Sequence, residues 1–239
     1  MLRAKFEASV EGPLPSFILL AHHALQPLAA GALYWEAEAT LIVADLHLEK
    51  GAAYAARGRL LPPYDSRTTL RGLAAVIMSL SPRRVVALGD SFHTSEVAKH
   101  LGHDESEELT TLQAGREWYW ITGNHDPDLP RSVGGIVCPA LTIAGVTLRH
   151  EPSPDPDTLE IAGHLHPAAR IARRGETVRR KCFATDGRRI VMPAFGAYTG
   201  GLNVLDDAFA GLLARPKLEA WMMGRACVYP VHARALLPD

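Results

Sequence analysis

The feature that most constrains this chain is a series of short apolar segments, each followed closely by side chains that can bind a metal ion. The first, Leu41–Ala44, is a continuous apolar run, which is typical of a strand covered on both faces. Strands predicted in this way precede the candidate ligands Asp45, His47, Asp90, Asn124, His150, His164 and His166. Because ligands bind at the carboxyl ends of strands in open α/β sheets, we expect these side chains to meet at one edge.

The order of the predicted elements indicates the fold class. The first half alternates strands and helices: apolar spacing predicts a helix over residues 65–80, and Asp104 with Glu107 resembles a capping box for another. From Gly135 onward the pattern changes to short strands separated by turns, which we expect to form a mostly antiparallel sheet. The sequence therefore predicts an α/β protein, a two-layer β-sandwich flanked by helices, with a single domain over residues 1–239.

Composition restricts the possible partners and the compartment. With 25 basic and 26 acidic side chains the formal charge is −1, so contact with a nucleic acid would need a local basic patch. The three cysteines are widely spaced and form no zinc-type pair, which indicates a reducing compartment. Polar residues and proline interrupt the apolar stretch Phe17–Leu33, so we expect no membrane span, no secretory signal and a cytoplasmic protein.

The candidate ligands combine oxygen and nitrogen donors and include no thiolate. Such a set suits manganese, iron, zinc or cobalt better than calcium or an iron–sulfur cluster. One metal takes about four to six ligands, so these donors suit two metals that share a carboxylate. In an extended strand residues i and i+2 share a face, which would pair Asp45 with His47, and His164 with His166. A glycine precedes three of the ligands, and we expect it to allow a sharp turn there.

Five motifs occur in order over about half of the chain. They are Asp45-x-His47, Gly89-Asp90-x-x-His93, Gly123-Asn124-His125-Asp126, a lone His150 and Gly163-His164-x-His166. In order and spacing they resemble the signature of the calcineurin-like metallophosphoesterases. The resemblance implies that family's fold and two divalent transition metals bridged by one carboxylate.

The resemblance also implies a role for each residue. The first metal would be held by Asp45, His47, Asp90 and His166. The second would be held by Asp90, Asn124, His150 and His164. A hydroxide bridging the metals would attack phosphorus in line with the leaving oxygen. His125 would stabilise the transition state or protonate that oxygen, helped by His93, and the adjacent Asp126 is positioned in sequence to orient the His125 ring.

Three further segments resemble one particular group of metallophosphoesterases. Ala32–Trp35, Asp45–Lys50 and Pro193–Gly201 are similar to segments of the bacterial ligase-associated DNA damage response endonucleases, a manganese-dependent phosphodiesterase group. This implies manganese as the metal, with iron, zinc or cobalt as alternatives. It also implies a DNA repair endonuclease acting on single-stranded or nicked DNA, with a DNA ligase and a helicase of the same pathway as partners. The Gly-Asp-x-x-His form that ends at His93 favours phosphodiester substrates. The oligomeric state stays open.

The candidate contacts to DNA are arginines close in sequence to the motifs. They are Arg57, Arg59, Arg170, Arg173 and Arg174. Part of this basic stretch could be only the solvated tip of a hairpin at 173–176. Two other functions stay open: hydrolysis of small phosphodiesters or nucleotides, and a non-enzymatic scaffold. The presence of every ligand and of His125 disfavours the scaffold.

Overall fold

The computed structural model of this chain describes residues 16–49, 65–98, 101–173, 175–197 and 199–239. Three of the predicted DNA contacts, Arg57, Arg59 and Arg174, lie outside these residues.

The first sheet has seven strands whose spatial order follows the chain. They are β1 (Ile18–Leu20), β2 (His23–Pro27), β3 (Leu33–Trp35), β4 (Thr40–Val43), β5 (Arg84–Leu88), β6 (Glu117–Ile121) and β7 (Ile136–Cys138). Strands β1 to β4 are antiparallel neighbours, whereas β4 to β7 are parallel. The parallel pairing brings the carboxyl ends of β4, β5 and β6 to one edge of the sheet.

Helices cover the outer face of this sheet. They are α1 (Asp65–Leu80), α2 (Ser95–Ala98) and α3 (His103–Gln113). Leu70, Leu73 and Ile77 lie on one side of α1 and pack with Leu41 and Val85 of the sheet, as the apolar spacing predicts. In the described part of the chain, no helix combines the length and the apolar character needed to cross a membrane.

The predicted capping box of α3 is wrong. The N-cap residue is Gly102, without a side-chain cap, and the helix begins at His103. Asp104 therefore lies inside the first turn, where its carboxylate pairs with Arg67 of α1 at 3.2 Å. The glycine took the cap position because its backbone carbonyl already accepts the bond from Ser106 N at 2.9 Å.

The second sheet has nine strands and mixed pairing. They are β8 (Ala140–Ile143), β9 (Val146–Arg149), β10 (Glu160–Ala162), β11 (Pro167–Arg173), β12 (Glu176–Thr185), β13 (Arg189–Val191), β14 (Leu202–Asn203), β15 (Glu219–Met223) and β16 (Val228–His232). Most pairs are antiparallel, as predicted, but β10 runs parallel to both β9 and β13. The ends of β9 and β10 therefore lie side by side.

The two sheets pack face to face. The core between them contains Trp35, Ile42 and Val86 from the first sheet and Leu148 and Phe183 from the second. This confirms the predicted α/β sandwich, with one difference: in the described residues, α-helices cover only the first sheet. Turns and short 3₁₀ helices cover the outer face of the second sheet, burying Phe209, Leu213, Leu218 and Leu236. That residues 1–239 form a single domain stays a prediction.

A buried ion pair joins the second sheet to two loops. Glu160 is fully buried and Arg189 is 2% exposed. The Arg189 guanidinium donates to the Glu160 carboxylate and to the carbonyl oxygen of Leu212. It also donates to the carbonyl oxygens of Ser153 at 2.7 Å and Asp155 at 3.1 Å. The pair thereby fixes the segment that follows β9, which carries one of the predicted metal ligands.

We predict that Arg189→Met lowers the free energy of unfolding by about 3–5 kcal/mol, because it leaves a buried carboxylate without its main partner. The carboxylate would keep only a hydrogen bond from the backbone N–H of Ser153 at 2.9 Å and a 3.8 Å contact with Arg149 among its described partners. The neighbouring Arg188→Met removes an exposed ion pair with Asp157 and should cost less than about 1 kcal/mol. Urea unfolding of both variants measures the difference, and equal losses would contradict the assignment.

Candidate metal centre

The strand ends of both sheets meet at one edge and bring the predicted ligands together. Two groups have ligand atoms that all lie within 4.8 Å of one another: Asp45, His47 and His166 form one, and Asp90, His150 and His164 form the other. They border a cavity of about 300 Å³. Its lining consists of His47, Asp90, His93, Asn124, His125, His164 and His166.

The first group converges on a point between the sheets. Asp45 is fully buried, and its Oδ1 lies 3.2 Å from Nε2 of His166. Nε2 of His47 lies 3.4 Å from the same nitrogen. The Asp45 carboxylate also accepts a hydrogen bond from the backbone N–H of His164 at 3.1 Å, so this side chain ties the first sheet to the second. Two ring nitrogens and a carboxylate oxygen facing one point suit a divalent cation.

The second group includes the predicted amide ligand. Oδ1 of Asn124 lies 3.0 Å from Nε2 of His150 and 3.1 Å from Nδ1 of His164. These two nitrogens are 3.2 Å apart, and Asp90 Oδ2 lies 3.4 Å from His150 Nε2. The donor atoms again converge. That Asp90 bridges two metals stays a prediction.

One hydrogen bond sets the orientation of His150. Its Nδ1 lies 2.8 Å from the carbonyl oxygen of Leu88 and donates to it. Nε2 therefore presents its lone pair to the site when the ring is neutral, the arrangement that metal-binding histidines use. This donor set fits a divalent transition metal.

Ionisation at the second group is strongly coupled. Burial disfavours the imidazolium form of His150, but the hydrogen bond and charge of Asp90 and the charge of Asp45 outweigh it, raising the pKa of His150 to about 9. Burial likewise opposes the ionised form of Asp90, but His150 and the backbone N–H of His125 lower the pKa of Asp90 to about 2. A proton on His150 therefore neutralises part of the negative charge when no metal is bound.

The ligands lie beyond the strands, and five of the seven have a left-handed backbone conformation. Strands β4 and β10 end at Val43 and Ala162, so the prediction that paired ligands share one face of an extended strand is wrong. The φ angles are 52° for Asp45, 45° for His47, 46° for Asp90, 69° for His164 and 46° for His166. Such residues cost about 1–2 kcal/mol each in this conformation and need support from their surroundings.

The glycines before the ligands serve two purposes. Gly89 has φ +72°, as the expected sharp turn requires, and a Cβ there would lie 2.5 Å from the His150 ring. The chain also turns after Gly123 and Gly163, where Leu165 N donates to Gly163 O at 2.8 Å, but these two glycines are absent from the residues with positive φ, so the turns do not depend on glycine's conformational freedom. A Cβ would lie 2.2 Å from Asp90 N at Gly123 and 2.7 Å from an Asp45 oxygen at Gly163. Close contacts, rather than a left-handed φ, require these two glycines.

His125 borders the cavity with a fixed ring. Its Nδ1 donates to the carbonyl oxygen of His93 at 3.1 Å, and its Nε2 lies 4.0 Å from Asp90 Oδ2. The His93 ring stacks on it, with ring centroids 5.6 Å apart and an interplanar angle of 25°. The His125 side chain is 41% exposed, so it can reach a bound phosphate.

Asp126 has a different role from the one predicted. The contact that orients the His125 ring comes from the His93 carbonyl, whereas Asp126 is fully buried beneath the loop that carries Asp90. Its carboxylate accepts hydrogen bonds from the backbone N–H groups of Asp90 (3.0 Å), Ser91 (2.8 Å), Phe92 (3.1 Å) and Gly123 (3.0 Å). Asp126 therefore shapes the site from below rather than acting on substrate.

The described arginines of the basic stretch do not line the cavity. Arg170 donates to the carbonyl oxygen of Pro238 at 3.2 Å. Arg173 lies opposite Glu176 in the last register pair of the antiparallel strands β11 and β12, which confirms the predicted hairpin turn. Six residues of extended strand separate Arg173 from His166, a path of about 23 Å. Arg173 therefore lies away from the cavity, and its contact with DNA stays a prediction.

From its sequence, Phe195–Gly201 is compatible with a rim loop near the metals or with a tight turn. In the structure the start of this segment packs against the first ligand group. Phe195 N donates to Ala44 O at 2.8 Å, and Gly196 N donates to Asp45 O at 3.1 Å. The small residues of this segment were the available signal, because only a segment without bulky side chains can approach another backbone this closely.

Comparison with known proteins supports a phosphodiesterase. Neither a protein-family model nor a curated protein sequence matches this chain. Among solved structures it is similar to nuclease MPE from Pseudomonas putida, with a TM-score of 0.69 and 28% identity over 91% of this chain and 100% of that chain. The phosphoesterase Yfce from E. coli matches with a TM-score of 0.40 and 12% identity over 81% of this chain and 98% of that chain.

We predict that Mn²⁺ binds the metal-free protein more tightly as the pH rises from 6 to 8. The pKa of His150 is raised to about 9, so a metal must displace its proton throughout this range. This group alone should strengthen binding by up to about tenfold per pH unit. Calorimetry in buffers of different ionisation enthalpy measures the released proton, and an affinity that does not change with pH would contradict the prediction.

We predict that Gly89→Ala weakens metal binding at the second group, because the new methyl group would collide with the His150 ring. Gly115→Ala is a matched control: its φ is also +72°, but nothing lies within 4 Å of its Cβ position. Both variants add a side chain at a glycine with the same positive φ. A difference in their Mn²⁺ content, measured by elemental analysis after dialysis against Mn²⁺, therefore reports the collision with the His150 ring. Equal metal content in the two variants would refute this explanation.

Proposed function

We propose that this chain, a metal-dependent phosphodiesterase, belongs to the calcineurin-like metallophosphoesterases and is a manganese-dependent DNA endonuclease that acts in DNA repair. The observation that carries the proposal is the similarity to nuclease MPE, which extends over 91% of this chain and all of that nuclease. The resemblance of three segments to ligase-associated endonucleases adds the repair role, and a DNA ligase and a helicase as partners. The widely spaced cysteines support a cytoplasmic location.

The residues that would hold the metals are those of the two converging groups, with Asn124 completing the second. Bound divalent metals would neutralise the phosphate charge and lower the pKa of a coordinated water. The buried carboxylates of Asp45 and Asp90 supply negative charge that favours cation binding, and the surrounding hydrogen bonds keep both carboxylates oriented. The chain thus provides a site at which bound metal cations would face a cavity that a phosphodiester can enter.

His125 would act on the phosphate directly. Because its Nδ1–H is held by the His93 carbonyl, its Nε2 faces the cavity. A proton on Nε2 can be donated to a phosphate oxygen or to the leaving oxygen as the ester bond breaks. Stacking by His93 restricts rotation of the His125 ring, so His93 helps to aim this proton.

The cavity lining favours recognition of the phosphate over recognition of a base. Among the described residues, the lining contains histidine, aspartate and asparagine but no arginine, lysine or large aromatic side chain. This part of the site therefore offers no Phe, Tyr or Trp ring on which a base could stack. We infer cleavage of DNA without strong sequence preference.

Hydrolysis of a small phosphodiester or nucleotide is the second candidate. The volume of about 300 Å³ and the absence of cationic side chains from the described lining favour it. The formal charge of −1 gives no general attraction to a polyanion. The two candidates differ in whether a long DNA strand is cleaved.

The test is cleavage of two substrates by the metal-stripped protein after Mn²⁺ is added. With bis-p-nitrophenyl phosphate and labelled single-stranded DNA, we expect hydrolysis of both. The Asp90→Ala protein, which loses a ligand, excludes contaminating enzymes. Hydrolysis of the small ester alone would support the second candidate and refute the nuclease.

We predict that His125→Ala keeps the bound metal but lowers kcat by about 10²–10⁴-fold, because the proton donor is lost. His103→Ala is the matched control, since that exposed side chain lies at the start of α3, outside the cavity lining. Metal content by elemental analysis and kcat on the small ester separate binding from turnover. Full activity of His125→Ala would eliminate the proposed role.

A further inference from the structure

We propose that Lys181 is a positioning residue of the metal centre. Its ammonium group holds the segment that contains Ala194, Gly196 and Thr199, and this segment in turn supports the backbone that presents Asp45. Lys181 follows the predicted DNA contacts Arg170, Arg173 and Arg174 along the chain. It is half-buried on β12, on the same strand face as Phe183, whose ring lies between the two sheets. Its side chain therefore points toward the sandwich and not away from it.

Three acceptors converge on the Lys181 ammonium. Nζ lies 2.9 Å from Ala194 O, 3.2 Å from Gly196 O and 2.7 Å from Thr199 Oγ1. The Thr199 hydroxyl donates its own proton to Gly196 O at 2.7 Å, so its lone pairs are available to the lysine. An ammonium group has three donors, and these contacts match them. A planar guanidinium could not direct its donors at this compact set in the same way.

The segment held by Lys181 contacts the chain on both sides of a metal ligand. Phe195 N donates to Ala44 O at 2.8 Å, and Gly196 N donates to Asp45 O at 3.1 Å. A Cβ at Gly196 would lie 2.4 Å from Leu46 O, which shows how closely the two backbones pack. If the segment moves, Ala44 and Asp45 each lose one of these hydrogen bonds.

Asp45 depends on this support because its backbone is left-handed, with φ 52°. Its Oδ1 lies 3.2 Å from His166 Nε2, so a shift of the backbone changes the first ligand group directly. In the second group, His150 is anchored elsewhere, by its bond to Leu88 O, and only His164 contacts Asp45, through its backbone N–H. Lys181 should therefore affect metal affinity at the first group more strongly than at the second.

The test measures Mn²⁺ binding by calorimetry on the metal-stripped full-length chain, without substrate. Two backgrounds separate the groups: His150→Ala disables the second, and His47→Ala disables the first. In the His150→Ala background, Lys181→Met should weaken Mn²⁺ binding by about 10-fold or more, the size expected for removing a residue that orients a ligand. In the His47→Ala background, binding should change by less than about 2-fold. Equal loss in both backgrounds, or no loss in the first, would overturn the proposal.

Arg180→Met is the matched control, because Arg180 is exposed on the opposite face of the same strand and donates to the carbonyl oxygen of Arg179. It should leave both affinities unchanged. A second variant, Thr199→Val, removes one acceptor at nearly constant volume and gives a result even where Lys181→Met folds poorly. It should weaken the first group by a smaller factor, and an unchanged affinity would count against the proposal. The inference rests on the metal centre and not on DNA cleavage, so the nuclease assay and this titration fail independently.

Discussion

The metal centre depends on backbone hydrogen bonds that hold most of its ligands in left-handed conformation beyond the strand ends. Asp45 N bonds to Gly89 O at 3.2 Å and His47 N bonds to Asp90 O at 2.9 Å, which joins the loops after β4 and β5. Asp126 fastens the second of these loops through three N–H groups and the loop after β6 through the N–H of Gly123. The ligand geometry is therefore a property of the fold, because the same bonds that close the loops also aim the side chains.

Sequence patterns predicted the elements that are buried and regular. The strand ends and their ligands follow from apolar runs and short motifs, and α1 follows from its 3.6-residue spacing. Strand β12 escaped detection because its first half, which includes Arg179 and Arg180, is exposed and basic, and only Cys182–Thr185 is fully buried. The periodicity of apolar residues cannot identify a strand whose outer half extends into solvent.

The errors at the site have a common physical cause. The roles predicted for Asp126 and for the glycines before Asn124 and His164 assumed local geometry, whereas tertiary contacts decide them. Asp126 is adjacent in sequence to His125, but its carboxylate turns to N–H groups 34 to 36 residues away. The sequence around a residue indicates that it belongs to a functional site. Its contacts in the folded chain determine which other groups it orients.

The left-handed backbone at these ligands also affects how long the protein survives in a cell. Backbone strain of this kind is kept only while the surroundings over-determine the structure, and a bound cation adds to that support. A chain that has lost its metal should open more often at this edge, where proteases act on the transiently opened form. The amount of the protein in a cell would then follow the supply of metal ions, because the metal-free form would be degraded faster.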